Sequence, residues 1–214
     1  PRHSEVKQPK ALLRLLDETP VLSAERMRLA QWLAHTYICS LGEACAAMVP
    51  TALRIRAVPP DSSPQAASAS PFTLMPAQQR AFEVMQAAVQ ARRPRTFLVH
   101  GVTGSGKTEL YLRLIADALS QGRGAICLVP EIALTPQTID WFRKRFGSAV
   151  ALWHSRLTAS QRGVEWSRMR AGQARVVVGT RSAVFAPIAS IGVIVLDEEH
   201  DPSYKQDEVP RYHA

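Results

Sequence analysis

The hydrophobic pattern of this chain divides it into a helical opening, an aperiodic stretch and a long strand-helix alternation. Behind Ser23, an N-cap residue type, Met27, Ala30, Leu33, Ala34 and Tyr37 recur on one helical face, with Trp32 beside the stripe. Val58 to Pro71 loses the period, and Pro59-Pro60, Pro64 and Pro71 among Ser and Ala have linker composition. Helical spacing returns after Pro76 in Ala81, Phe82, Met85 and Val89. Beyond that, five short apolar runs read as strands: Thr96-Phe97-Leu98-Val99, Ala125 to Val129, Val150 to His154, Val176 to Val178, and Gly192 to Leu196. Between them, Thr135 with Pro136 starts a helix that Gly147 ends, and Thr158 with Gln161 forms a capping box for one that Gly172 closes. Strands alternating with helices predict an α/β fold around a parallel sheet. The runs at 96–99 and 192–196 carry no polar alternation, which predicts strands buried on both faces.

Chemistry enters where the runs end. Gly101-Val102-Thr103-Gly104-Ser105-Gly106-Lys107-Thr108 fits G-x-x-x-x-G-K-[ST] directly after the 96–99 run, the pattern of a phosphate-binding loop. Gly101, Gly104 and Gly106 let the backbone turn N–H groups, including those of Thr103 and Ser105, toward phosphates, and a helix N-terminus adds its positive end. Lys107 is placed for the terminal phosphates and Thr108 for Mg²⁺. The 192–196 run ends in Asp197-Glu198-Glu199-His200, which supplies the second half: Asp197 as Mg²⁺ carboxylate and Glu198 as the base that polarises water. Ligands of open α/β sheets collect at such strand carboxyl ends.

These motifs resemble those of superfamily 2 helicases. Leu128-Val129-Pro130-Glu131-Ile132-Ala133-Leu134-Thr135-Pro136-Gln137, Val178-Gly179-Thr180-Arg181-Ser182-Ala183-Val184-Phe185-Ala186-Pro187 and Asp197-Glu198-Glu199-His200-Asp201-Pro202-Ser203-Tyr204-Lys205-Gln206 look, more narrowly, like the PriA family of bacterial replication restart helicases. The resemblance implies a RecA-like P-loop helicase lobe, preceded by a small winged-helix-like domain, in an enzyme that uses ATP and Mg²⁺ to translocate 3′ to 5′ along DNA. It divides the chain into 1–9, the tail of an upstream domain that captures DNA 3′ ends; 10–57, winged-helix-like; 58–71, linker; and 72–214, the first, truncated, helicase lobe. It assigns adenine readout to Gln78, relay of nucleotide state to His200, and DNA contacts to Pro130, Ile132, Thr180, Arg181, Tyr204 and Lys205. Implied partners are single-stranded and forked DNA, other primosome proteins and single-stranded DNA-binding protein. Relatives are expected to continue into a second lobe with an arginine finger and into cysteine-rich zinc-binding segments, so zinc is expected only there. The opening Pro fits an internal fragment.

Composition adjusts this picture. The formal charge of +8 suits a polyanionic partner. Residues 98–181 hold 12 basic against 5 acidic residues and 197–214 hold 2 against 6, so positive charge sits on the segments expected to meet phosphate. Cys39, Cys45 and Cys127 show no metal or disulfide spacing, which points to thiols in a reducing cytoplasm, a bacterial one as the resemblance implies. No run reaches membrane-spanning length. Two classes stay open: an ATP-driven DNA helicase, or a nucleotide- and DNA-binding module with little turnover by itself. A metabolic kinase would need an acceptor site, and Asp-Glu-Glu-His argues against it.

Overall fold

The computed structural model describes residues 20–50, 72–102 and 104–214. The expected 1–9 tail, the 58–71 linker, Thr103 and the flanks of the 10–57 segment lie outside the described residues. The described part of that segment is two helices, α1 (Ala24–Thr36) and α2 (Leu41–Met48). Ser23 caps α1 by accepting from the Arg26 N–H, and Ser40 with Glu43 forms a reciprocal capping box on α2.

The remainder folds as α3 (Pro76–Gln90), α4 (Lys107–Ser120), β1 (Gly124–Leu128), α5 (Pro136–Phe146), β2 (Val150–Trp153), α6 (Ala159–Arg170), β3 (Val176–Gly179) and β4 (Ile191–Leu196). The strands form one sheet in the order β2-β3-β1-β4, every pair parallel. Alternation of side chains across the strands builds two cores. Ala125, Cys127, Val176 and Val178 meet Ile115 of α4 and Phe142 and Phe146 of α5 on one face. Ile126, Leu128, Ala151 and Val177 meet Trp166 and Met169 of α6 on the other. The result is a three-layer α/β/α lobe with its functional loops at the strands' carboxyl ends, consistent with a RecA-like helicase lobe.

Two of the strand expectations need correction. Residues 96–99 form no strand; Leu98 is 77% exposed, and Phe97 packs partly against Phe82, Leu110 and Leu114 of α3 and α4. β4 forms but is not buried on both faces: Ile191, Ile194 and Leu196 are exposed. The cause is shared. β4 pairs with β1 on one edge and with no strand among the described residues on the other, so apolar runs suited to a sheet interior stand at its border.

The helical pair is bolted onto the lobe. The Arg26 guanidinium donates to the carbonyls of Phe185 at 2.8 Å and Ala186 at 2.6 Å. Phe185 and Tyr212 pack edge to face at 4.9 Å in one cluster with Ala30, Leu33, Ala44 and Met48.

Candidate active site

The phosphate loop is set by two glycines and a helix start. Gly104 and Gly106 have φ of 78° and 82°, the left-handed region that side chains other than glycine disfavour, and Gly106 is the residue from which α4 begins. A Cβ on Gly106 would lie 2.6 Å from Gln78 Nε2. Lys107 Nζ donates to the carbonyls of Gly101 at 2.7 Å and Val102 at 3.2 Å, so the lysine closes the loop on itself. Gln78 sits on the loop: Nε2 donates to the Ser105 carbonyl at 2.7 Å, and Oε1 accepts from the Met75 N–H at 2.7 Å. The amide therefore clasps the loop, with one hydrogen and one lone pair left over.

The acids arrive from β4. The ladder to β1 continues one residue past the strand, with the Asp197 N–H donating to the Leu128 carbonyl at 2.9 Å, which fixes Asp197 at the sheet's carboxyl edge. Partial burial pushes the Asp197 carboxyl above its ordinary range, the neighbouring Glu198 charge adds to this, and Lys107 opposes it. Lys107 and Asp197 thus share one electrostatic field. Tyr111, one helical turn after Lys107, reaches Asp197 Oδ2 with its hydroxyl at a long 3.5 Å. Glu198 adopts φ 50°, a left-handed conformation that costs a non-glycine residue about 1–3 kcal/mol and recurs at functional sites. His200, largely exposed, stands 3.8 Å from the Glu198 carboxylate and 3.9 Å from that of Glu199. Among the described residues no cluster of three or more His, Cys, Asp or Glu is arranged to enclose a metal. The donors that fit a divalent cation are instead the Thr108 hydroxyl at the start of α4 and the Asp197 carboxylate, hard oxygen ligands that leave positions for phosphate oxygens and water.

The expected DNA contacts separate into surface and interior. Ile132 is 83% exposed on the turn after β1, and Lys205 is exposed. Pro130 is buried, its carbonyl accepting from the Ala133 and Leu134 N–H groups, so it shapes the turn rather than meeting a ligand. Thr180 is buried at 6% exposure but still lines a shallow groove with Glu131, His154, Ser155 and Arg156. Arg181 donates to the carbonyls of Ser203 and Lys205, which makes it a tie between two loops. Tyr204 is the clearest correction: fully buried, its hydroxyl lies 2.6 Å from the Asp197 carbonyl and 3.0 Å from that of Leu128. Its ring has no face to offer a base. Instead it ties the backbone of Asp197 to the end of β1.

Sequence reasoning missed Tyr111, Arg156 and Arg26. The spacing of Tyr111 from Lys107 was a usable signal, since residues four apart share a helix face. The other two are located only by the fold.

A family model for the DEAD/DEAH box helicases matches residues 75–213, spanning the sheet, the phosphate loop and the acids. The chain belongs to the DEAD/DEAH box helicase family. A second family model, for a 3′DNA-binding domain, matches residues 2–50, running through α1 and α2 and past the division expected at residue 9. The helicase chain is 43% identical over 206 residues to the replication restart protein PriA of Treponema pallidum, a match covering 96% of this chain and 31% of the relative. It is 50% identical over 144 residues to PriA of Bacillus subtilis, covering 67% of this chain and 18% of the relative. With PriA of Haemophilus influenzae it shares 52% over 118 residues, 55% of this chain and 16% of the relative. The chain therefore spans a third or less of the length of these relatives.

Proposed function

We propose that this chain is the ATP-binding lobe, with an adjoining helical segment, of a DNA helicase that acts in replication restart and moves 3′ to 5′ along its strand. One observation carries the chemistry: the phosphate loop on α4 and the acids after β4 face each other, with Lys107 and Tyr111 of one helix both acting on Asp197. Lys107 then leaves the carbonyls of Gly101 and Val102 for the terminal phosphates of ATP. A divalent ion, Mg²⁺ in our reading, supplies charge neutralisation at the phosphates, with Thr108 and Asp197 as its protein ligands. Glu198 orients water and takes its proton, His200 reports the outcome to later segments, and Gln78 combines its grip on the loop with adenine readout. Ile132, Thr180 and Arg156 line the DNA-contacting rim, with Lys205 beside it. The 3′DNA-binding match supports DNA as the partner; forked DNA, primosome proteins and single-stranded DNA-binding protein belong to the same proposal. Zinc is proposed only for segments outside this chain. No helix among the described residues is long and apolar enough to cross a membrane; a cytoplasmic location is part of the proposal.

A second reading holds for the chain alone: it binds nucleotide and DNA with little turnover. Among the described residues the run at 96–99 is unpaired and one edge of β4 is open, and both favour it, because a phosphate loop is aimed by the strand before it. Phosphoryl transfer in this class also draws about 10³–10⁵ in rate from an arginine, expected from a second lobe. The test is steady-state ATP hydrolysis by the purified chain with saturating single-stranded DNA, against a Lys107→Ala control. Slow hydrolysis with ATP binding supports this reading; rapid hydrolysis abolished in the control shows that these residues suffice.

A further inference from the structure

The helical pair and the segment after the acids meet at an aromatic and cationic surface to which the motifs assign a role at Lys205 alone, as an expected DNA contact. Trp32, on α1, is 54% exposed. Tyr37 meets its indole edge to face, 6.0 Å between centroids at 86°. Lys205 brings its ammonium over the Tyr37 ring at 5.5 Å and is itself held by the Arg211 carbonyl at 2.5 Å. The Tyr37 hydroxyl accepts from the His213 N–H at 3.3 Å. Four contacts thus order an indole, a phenol ring and an ammonium group across the seam, so little conformational freedom remains to be lost on binding.

We propose that Trp32, Tyr37 and Lys205 form a base-stacking platform for single-stranded DNA. An exposed indole takes the face of an unpaired base irrespective of its identity, and an adjacent ammonium takes the phosphate beside it. The backbone turn next to it points the same way. Ile38 is held at φ 51°, a strained conformation for a β-branched residue, at the position after α1 where glycine is usual, and its side chain is 93% exposed. Strain maintained to present an apolar side chain beside an exposed tryptophan fits a wedge against a base step. DNA is favoured as the occupant by position. Trp32, Tyr37 and Ile38 fall within the 3′DNA-binding match, and Lys205 falls within the helicase match. Lys205 also joins the platform to the rim, since its carbonyl accepts from Arg181 while its side chain covers Tyr37. A strand leaving the rim would pass from phosphate contacts to base contacts at this residue. The proposal rests on DNA being the partner of the lobe.

The test is fluorescence anisotropy of the full chain with a labelled oligothymidylate at low salt, repeated with an abasic strand of equal length. Trp32→Ala should weaken oligothymidylate binding by roughly fivefold to a hundredfold, the cost of one stacked base, and leave abasic binding unchanged. Trp32→Phe should restore most of the loss. Since Trp32 is half exposed, the thermal unfolding of Trp32→Ala should match the wild type. If Arg156→Ala on the rim weakens binding and Trp32→Ala does not, the platform is wrong and the DNA reading stands. Equal losses on thymidylate and abasic strands would show a contact that is not stacking and overturn the platform. A wild-type chain that binds neither strand at low salt overturns both.

Discussion

β1 and β4 read alike in sequence and differ in structure. Gly-Ala-Ile-Cys-Leu and Ile-Gly-Val-Ile-Val-Leu are both unbroken apolar runs, and they pair with each other in parallel register. β1 has a neighbour on each side and is buried at every residue; among the described residues β4 has one neighbour, and it is exposed at Ile191, Ile194 and Leu196. An apolar run therefore specifies a strand, while its burial is a property of what lies beside it. The same distinction separates the two halves of the nucleotide site. The acids are anchored, because β4 is paired along one whole edge; the phosphate loop is anchored, among the described residues, by α4, Gln78 and its own lysine.

The comparison breaks most directly on paired truncations. Ile126→Ala in β1 removes a side chain with no exposure and should cost about 2–5 kcal/mol, whereas Ile194→Ala in β4, at 51% exposure, should cost under about 1 kcal/mol. Denaturant unfolding of both measures the gap; equal costs would mean that β4's free edge is covered in solution.

The two halves of the site separate next. Lys107→Ala should weaken ATP by about 10- to 150-fold and adenosine hardly at all, since the loss is that of a charged contact to the terminal phosphates. Calorimetric titration with both ligands checks this. Asp197→Asn should leave Mg²⁺-free binding nearly intact while weakening its Mg²⁺ dependence, so titrations that respond alike with and without Mg²⁺ would remove Asp197 as the metal carboxylate.

Tyr204→Phe sharpens the account of how the acids are held. It keeps the buried ring and removes a hydroxyl that meets the Asp197 and Leu128 carbonyls, so stability should fall by about 1–2 kcal/mol. Hydrolysis per bound ATP should fall while oligonucleotide affinity stays. A loss of affinity with intact hydrolysis would restore Tyr204 as a DNA contact.

The smallest effect concerns the rim. Burial, followed by the charges of Arg156 and Arg162, holds His154 below its ordinary pKa of 6.5. The folded state thus favours the neutral ring: its contribution to stability is full above about pH 6.5 and declines as acidification protonates the unfolded chain in preference. His154→Gln should flatten the fall in melting temperature between pH 7 and 5.5, and an unchanged slope would assign it to other groups.

Much of this architecture was legible locally. The caps at Ser23, Thr135 and Thr158, the stops at Gly147 and Gly172, and the chemistry of Gly101 to Thr108 and Asp197 to His200 are encoded within a few residues, because caps, turns and phosphate loops are built from backbone groups close in sequence. What the tertiary structure decided was which apolar residues find a cover. Among the described residues Thr96 to Val99 pair with no strand and β4 pairs along one edge only, and Tyr204 turned inward because the carbonyls of Leu128 and Asp197, 69 positions apart in sequence, converge where one hydroxyl can meet both. Hydrophobic and hydrogen-bonding capacity is written in each residue, but burial is shared with partners distant along the chain, and only the folded sheet brings them together.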